Sequence, residues 1–128
     1  MILRACRSTV MALALLVVTG AATAHHPPRF ERCKLYPFTG QIERIEWVNP
    51  HVQLYIRTDD DGELLQVGWL GLQALERAGI TRETLRAGDH VAIEGGVRND
   101  DIADEPILLS SIRRDSDGWE WVQALQGC

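Results

Sequence analysis

Positive charge is in short supply in this sequence. Its 128 residues carry 13 Lys and Arg against 18 Asp and Glu, a formal net charge of −5. A nucleic-acid binder needs a basic footprint, and so does a protein that lies on an anionic bilayer. The balance excludes both. Long apolar runs are missing beyond Val18, so no later stretch reaches membrane-spanning length. Long helical periods and βαβ repeats are missing too, which excludes an α/β fold. No internal repeat is present, and no low-complexity segment lies outside the leader. No serine or cysteine sits in a nucleophile context, and no carboxylate pair has a spacing useful for acid–base work. A catalytic reading would rest on His51 or His90 as general base, with Asp59–Asp61 or Asp89 as orienting carboxylates. The chain is instead read as non-enzymatic. Asp59–Asp61 also lacks the ligand spacing of a calcium loop and reads as a solvated turn.

What is present begins with a leader. Arg4 and Arg7 form a basic segment, Val10–Val18 an apolar run too short to span a bilayer, and Ala22-Thr23-Ala24 a small-x-small cleavage site. This is the pattern of a secretory signal peptide over residues 1–24, cut after Ala24. Cys6 leaves with it. Export to the periplasm or beyond is expected, with no membrane attachment after cleavage. Losing two arginines and no acid moves the net charge from −5 to −7. The remaining chain, His25–Cys128, suits one domain with a modest core.

Two cysteines remain, Cys33 and Cys128. An even pair in a small exported domain predicts a disulfide, two free thiols being the alternative. Closing so long a loop would stabilise the fold by up to about 4–5 kcal/mol in the chain-entropy account.

Residues 25–38 read as an arm, with Pro27-Pro28, Pro37 and no hydrophobic period. The domain proper is expected over 39–128. Thr39–Val48 reads as a strand. Ile42 and Ile45 are three apart and Ile45 and Trp47 two apart, so a bulge near Arg44 is needed to keep all three on one face. Asn49-Pro50 is turn chemistry. His51–Thr58 alternates, with Val52, Leu54 and Ile56 inward and His51, Gln53, Tyr55 and Arg57 outward. After the Asp59–Gly62 turn, Glu63–Trp69 repeats the alternation. Leu70–Ala78 changes to a helical period and Gly79 stops it. Thr81 caps a further turn at Arg82–Leu85. His90–Gly95 is a fourth strand, and Arg98–Glu105 an acidic loop. Pro106–Arg113 is a fifth strand, with Leu108, Ser110 and Ile112 on one face and Leu109 on the other. Trp119–Val122 forms a short last strand or a flap. The fold class is all-β with one short helix, a small OB-like antiparallel β-barrel in the order β-β-β-α-β-β. An open β-sandwich is the alternative.

Several of these pieces resemble a family of small exported bacterial proteins of unknown function. The resemblance rests on Ala24-His25-His26, on Thr39-Gly40-Gln41-Ile42 running into Trp47-Val48-Asn49-Pro50-His51, on Leu75-Glu76-Arg77-Ala78-Gly79, and on Leu85-Arg86-Ala87-Gly88-Asp89. It covers nearly all of the chain after the leader. The sequence departs from the pattern at Pro27-Pro28-Arg29-Phe30, where Ser-Phe usually follows the two histidines, and in having Cys33 and Cys128. The resemblance implies the fold and an exported location and lends no activity.

Two candidate sites follow from the residues. Cleavage after Ala24 would leave His25 with a free α-amine. Amine and imidazole together chelate, and imidazole suits copper and zinc. His26 and His51 complete a set of nitrogen donors for a transition metal, most plausibly copper. Two solvated histidines and a turn-closing His51 are the plain alternative. The second candidate is a metal-free recognition corner, Trp47, Asn49 and His51 with Tyr55 and Arg57 on the outer face of the second strand, for a small polar ligand or a protein partner. Here the plain alternative is that Asn49 closes the turn. The four tryptophans, Trp47, Trp69, Trp119 and Trp121, read as core and rim packing. The expected role is a periplasmic binding or accessory module.

Overall fold

A computed structural model describes residues 33–97, 106–125 and 127–128. The leader, residues 25–32 of the arm and the acidic loop 98–105 therefore lie outside the described residues. Among the described residues there are six strands and one short helix: β1 Tyr36–Glu46, β2 Gln53–Thr58, β3 Leu64–Gly68, α1 Leu72–Arg77, β4 His90–Gly96, β5 Ile107–Arg114 and β6 Glu120–Val122.

The strands hydrogen-bond in the order β3-β2-β1-β4-β5-β6, and a further β3–β5 pairing closes β1–β5 into a barrel. That is the closed five-stranded arrangement of an OB-like fold, with the helix between the third and fourth strands. One detail differs from expectation. The closing β3–β5 seam is parallel and short, Val67↔Ile107 and Gly68↔Leu108, whereas the other pairings are antiparallel. The Trp119–Val122 segment is a strand, β6, added to β5 outside the barrel.

β1 starts earlier than the arm boundary at residue 38 suggested. Tyr36, Pro37 and Phe38 pair with Gly95, Glu94 and Ile93. Proline is tolerated there because its missing donor is not needed at that position in the ladder. The bulge expected near Arg44 is present. Ile42 faces Ile56 and Arg44 faces Tyr55, leaving Glu43 unpaired. Ile42 is fully buried and Ile45 and Trp47 pack against the core.

β5 contains a second bulge that alternation did not reveal. Ser111 pairs with Glu94 and Leu109 with Gly95, so Ser110 is the extra residue. The inward side chains are consequently Ile107, Leu109 and Ile112, and Leu108 is only half-buried. Ser110 is buried and its hydroxyl donates to the Gln123 carbonyl at 2.7 Å, which satisfies it.

The core is built from the inward rows of every barrel strand: Val52, Leu54, Ile56, Leu65, Val67, Trp69, Val91 and Ile93 are buried as the period-two pattern requires. Leu75 of α1 and Ile80 and Leu85 beyond it close one end. Gly79, at φ 75, ends the helix two residues after Arg77. The further turn at Arg82–Leu85 is non-helical. It begins where Thr81 hydrogen-bonds Thr84 Oγ1 (2.9 Å) and Glu83 (2.7 Å). Cys33 and Cys128, 95 residues apart, are disulfide-bonded, tying the start of β1 to the tail after β6.

Candidate functional site

The Asn49-Pro50-His51 corner is built by its neighbours. Leu72 N–H donates to Asn49 Oδ1 at 3.3 Å. Gly71, the N-cap residue of α1, has no side chain to offer, so Asn49 supplies the cap from across the corner. Gly71 is required by close approach. A Cβ there would lie 2.6 Å from the Pro50 carbonyl oxygen. The Asn49–Pro50 peptide is cis. Val52 N–H donates to Leu70 O (3.0 Å) and Trp69 N–H to Val52 O (2.8 Å), which continues the β2–β3 ladder up to the corner.

His51 itself precedes β2 and is exposed. A cavity of about 70 Å3 lies beside it, with Trp69, Gln123 and Leu125 in its wall. Trp69 Nε1 is buried without a partner among the described residues, and its ring meets Trp121 edge-on at 5.2 Å. Trp47 does not share that cavity. It borders a separate cavity of about 230 Å3 against α1 and Ile80, and the Arg82 guanidinium sits 6.0 Å over its ring.

Tyr55 and Arg57 do share the outer face of β2, as expected, but they are engaged by β1. The Arg44 guanidinium lies 3.5 Å over the Tyr55 ring, and the Tyr55 hydroxyl donates to Glu46 at 3.3 Å. Arg57 Nη2 meets both Glu43 oxygens (2.8 and 2.9 Å) and its Nη1 donates to Gly62 O. The bulge makes this possible by turning Glu43 outward. Trp47, Asn49, His51, Tyr55 and Arg57 thus belong to three separate neighbourhoods. For the metal set, His25 and His26 lie outside the described residues. Among the described residues no group of three or more His, Cys, Asp or Glu is arranged to hold a metal ion.

Another concavity lies over the outer face of β1, β4, β5 and β6. It measures about 640 Å3. One end is closed by a cluster around His90, for which the sequence offers Asp59–Asp61 or Asp89 as carboxylate partners. The structure brings His90 Nε2 to Asp59 Oδ2 (2.8 Å) and His90 Nδ1 to Asp115 Oδ2 (2.6 Å). Asp115 had no signal in the sequence, being 25 positions away across the β4–β5 seam. Asp89 instead accepts from Arg86 N–H (2.9 Å) and faces Arg114 (3.3 Å). The hydrogen bonds to Asp115 and then Asp59 raise the His90 pKa. Thr39 Oγ1 donates to Asp59 at 2.6 Å and, with His90, lowers the Asp59 pKa. Both imidazole nitrogens are engaged by carboxylates. The arrangement clamps the β2–β3 turn, the start of β4 and the end of β5 together. Beside it, Arg114 holds the Asp117 carboxyl down to about 2 and anchors the β5–β6 turn.

Among the described residues no helix is long and apolar enough to cross a membrane. No curated protein matches the chain significantly. Among solved structures, the crystal structure of the TiaS–tRNA(Ile2)–ATP complex matches with a TM-score of 0.47 at 22% identity, over 66% of this chain and 19% of that one. The chain thus spans about a fifth of that protein's length, and the likeness is too low to carry an argument. The family model DUF6152 matches residues 12–103. With the TG…W-x-NPH segment and most of the chain inside that match, this protein belongs to DUF6152, a family of unknown function.

Proposed function

We propose that the protein is an exported, periplasmic binding or accessory module that captures a transition metal, copper before zinc. The ligands are the α-amine and imidazole of His25, the imidazole of His26 and the imidazole of His51. The observation that carries this reading is where the Cys33–Cys128 disulfide roots the arm. Cys33 N–H donates to Val97 O at 2.9 Å. Lys34 O packs against Gly96, and Leu125 of the tail packs against the same glycine. Leu125 also lines the cavity beside His51. The arm therefore leaves the barrel at the end where the exposed His51 sits. The residues from His25 to Arg32 extend to roughly 26 Å at full stretch, ample for reaching that end. A disulfide that persists is also in keeping with an oxidising compartment.

The test is a copper titration, followed by absorption and electron paramagnetic resonance, of protein exported with its own leader. A second sample carries one extra residue before His25, and a third carries His51→Ala. The reading expects tight binding in the first and markedly weaker binding in the other two. Equal affinity with the extra residue would remove the amine chelate. No copper or zinc binding by the correctly processed protein would sink the metal reading and leave the competing one, a metal-free interaction surface on the outer face of β2.

A further inference from the structure

We propose that the cavity beside His51 is a binding site for a short-chain aliphatic monocarboxylate. Its position follows from how the barrel closes. The β3–β5 seam ends at the Gly68↔Leu108 pair. Beyond it the two chains part. Trp69 N–H turns to Val52 O at 2.8 Å, and Ser110, the extra residue of β5, bonds the tail at Gln123. Gly68, Trp69, Leu108 and Leu109 from the two sides of the seam, Gln123 from the tail and His51 from the corner surround the gap.

Three polar side chains around this gap have no hydrogen bond among the described residues. Trp69 is 3% exposed, and its Nε1 is buried without a partner there. Buried polar groups are almost always satisfied, so this exception asks for a partner. An indole N–H only donates, so the partner is an acceptor. Gln123 is fixed through its backbone: its N–H donates to Ser110 O at 2.8 Å and its carbonyl accepts from Ser110 Oγ at 2.7 Å, which leaves the side-chain amide unused. The amides of Gln41, Gln53, Gln66 and Gln73 are all engaged, so an idle amide is not the rule for glutamine in this protein. His51 is exposed at the mouth, and an imidazole carries at least one N–H.

The chemistry of the wall selects the ligand. It offers donors, and among the described residues it holds no Asp or Glu, in a chain that has 18 of them. That favours an anion with acceptor oxygens over an ammonium group. The rest of the wall is apolar, Leu70, Leu108, Leu109 and Leu125, and suits an alkyl tail. The volume of about 70 Å3 is several times the roughly 10–15 Å3 that one water needs, and so holds about five heavy atoms, a carboxylate of about two to four carbons. One carboxylate oxygen accepts from Trp69 Nε1–H and the other from the Gln123 amide. Neither His25 nor His26 takes part, so the site stands apart from the metal reading.

The experiment is a propionate titration of the exported, disulfide-intact protein, freed of metal on a chelating resin and followed by proton–nitrogen correlation spectra. The Trp69 indole resonance is identified by its loss in Trp69→Phe. It should move downfield on binding, together with the amides of Gly68, Leu109 and Gln123, while those of Arg44, Tyr55 and Arg57 stay in place. Propionate should bind more tightly than formate, which leaves the leucines uncovered, and than hexanoate, which is too long. Trp69→Phe should weaken binding at least about tenfold, the worth of one hydrogen bond to a charged acceptor. Gln123→Leu, which keeps the bulk and the backbone bonds to Ser110, should weaken it by a smaller factor, and it carries the test if Trp69→Phe fails to fold. Propionamide, the neutral isostere, should bind about tenfold more weakly than propionate. No copper is present, so failure of the metal reading does not enter. Three outcomes overturn the assignment: a Trp69 indole proton that no carboxylate moves, as an N–H directed onto the Trp121 ring would give; an unchanged propionate affinity in folded Trp69→Phe or in Gln123→Leu; or equal affinity for propionate and propionamide.

Discussion

The two outer faces of this barrel carry similar side chains and dispose of them differently. On the β1–β2 face, charge is spent internally: Arg57 holds Glu43, and Arg44 covers Tyr55 while reaching Glu46 at 3.2 Å. On the β1–β4–β5–β6 face, Arg113 is engaged by Asp115 at 3.5 Å, and Asp60, Glu94 and Glu120 form no ion pair among the described residues. Alternation produces polar outer rows on both faces. Whether the charges meet depends on register, and the Glu43 bulge is the step that completes the pairing on the first face. A paired face is a poor binding surface because a ligand must compete with the partner already there. An unpaired one is free to bind, and its charge costs little while it stays in water.

The comparison can be strained at several points. The strongest lever is the disulfide, which joins β1, common to both faces, to the tail behind β6, which belongs to one. Reduction, or Cys33→Ser with Cys128→Ser, should cost about 2–5 kcal/mol given a loop of 95 residues. Thermal unfolding measures the loss, and hydrogen exchange should show β6 opening before β2. If both faces loosen together, the division between them is wrong. The core beneath should not respect it. Leu54→Ala under the paired face and Ile112→Ala under the unpaired one should each cost about 2–5 kcal/mol in denaturant unfolding, because both are fully buried in one core.

Asn49→Ala should cost about 1 kcal/mol, the worth of a helix cap, and leave the β2 face unaltered. A loss of copper affinity without a loss of stability would instead move Asn49 into the metal site. Arg57→Ala should cost about 0.2–1 kcal/mol, whereas Glu120→Gln should change stability by less, since it breaks no pair. Equal costs would erase the distinction between the faces. The smallest effect is that of pH on the His90 clamp. Its folded pKa is raised, so the stability it contributes is fully present below the ordinary histidine value near 6.5 and is lost as pH rises through the folded value. Asp59 works in the opposite direction. Its folded pKa is lowered, so its contribution is present above the ordinary value near 3.8 and is lost as pH falls through the folded value. Unfolding curves between pH 5 and pH 9 should therefore show wild type losing a small increment of stability on the alkaline side that His90→Gln does not lose.

Much of the barrel was legible along the chain. β2, β3 and β4 could be read directly because their buried residues fall every second position. The β1 bulge was legible because Ile42 and Ile45 stand three apart. Leu109 and Ile112 carry the same spacing in β5. There a run of apolar residues offered a competing alternation through Leu108, and the bulge at Ser110 was hidden. The corner motif could be found but its task could not. Nothing near Asn49 in sequence announces that its partner is the amide of Leu72, 23 positions later. The His90 clamp was half visible through Asp59, and Asp115 was invisible for the same reason.

The sequence by itself determined the central residues of β1 to β5, one short helix stopped by Gly79, and that Cys33 and Cys128 were available to bond. These follow from local period and composition, which each segment carries alone. Only the tertiary structure decided the parallel β3–β5 seam, the place of β6, the extra residue in β5 and which surface charges find partners. Each of those depends on the register between strands distant in the chain, and register is fixed by packing both sides of a sheet at once.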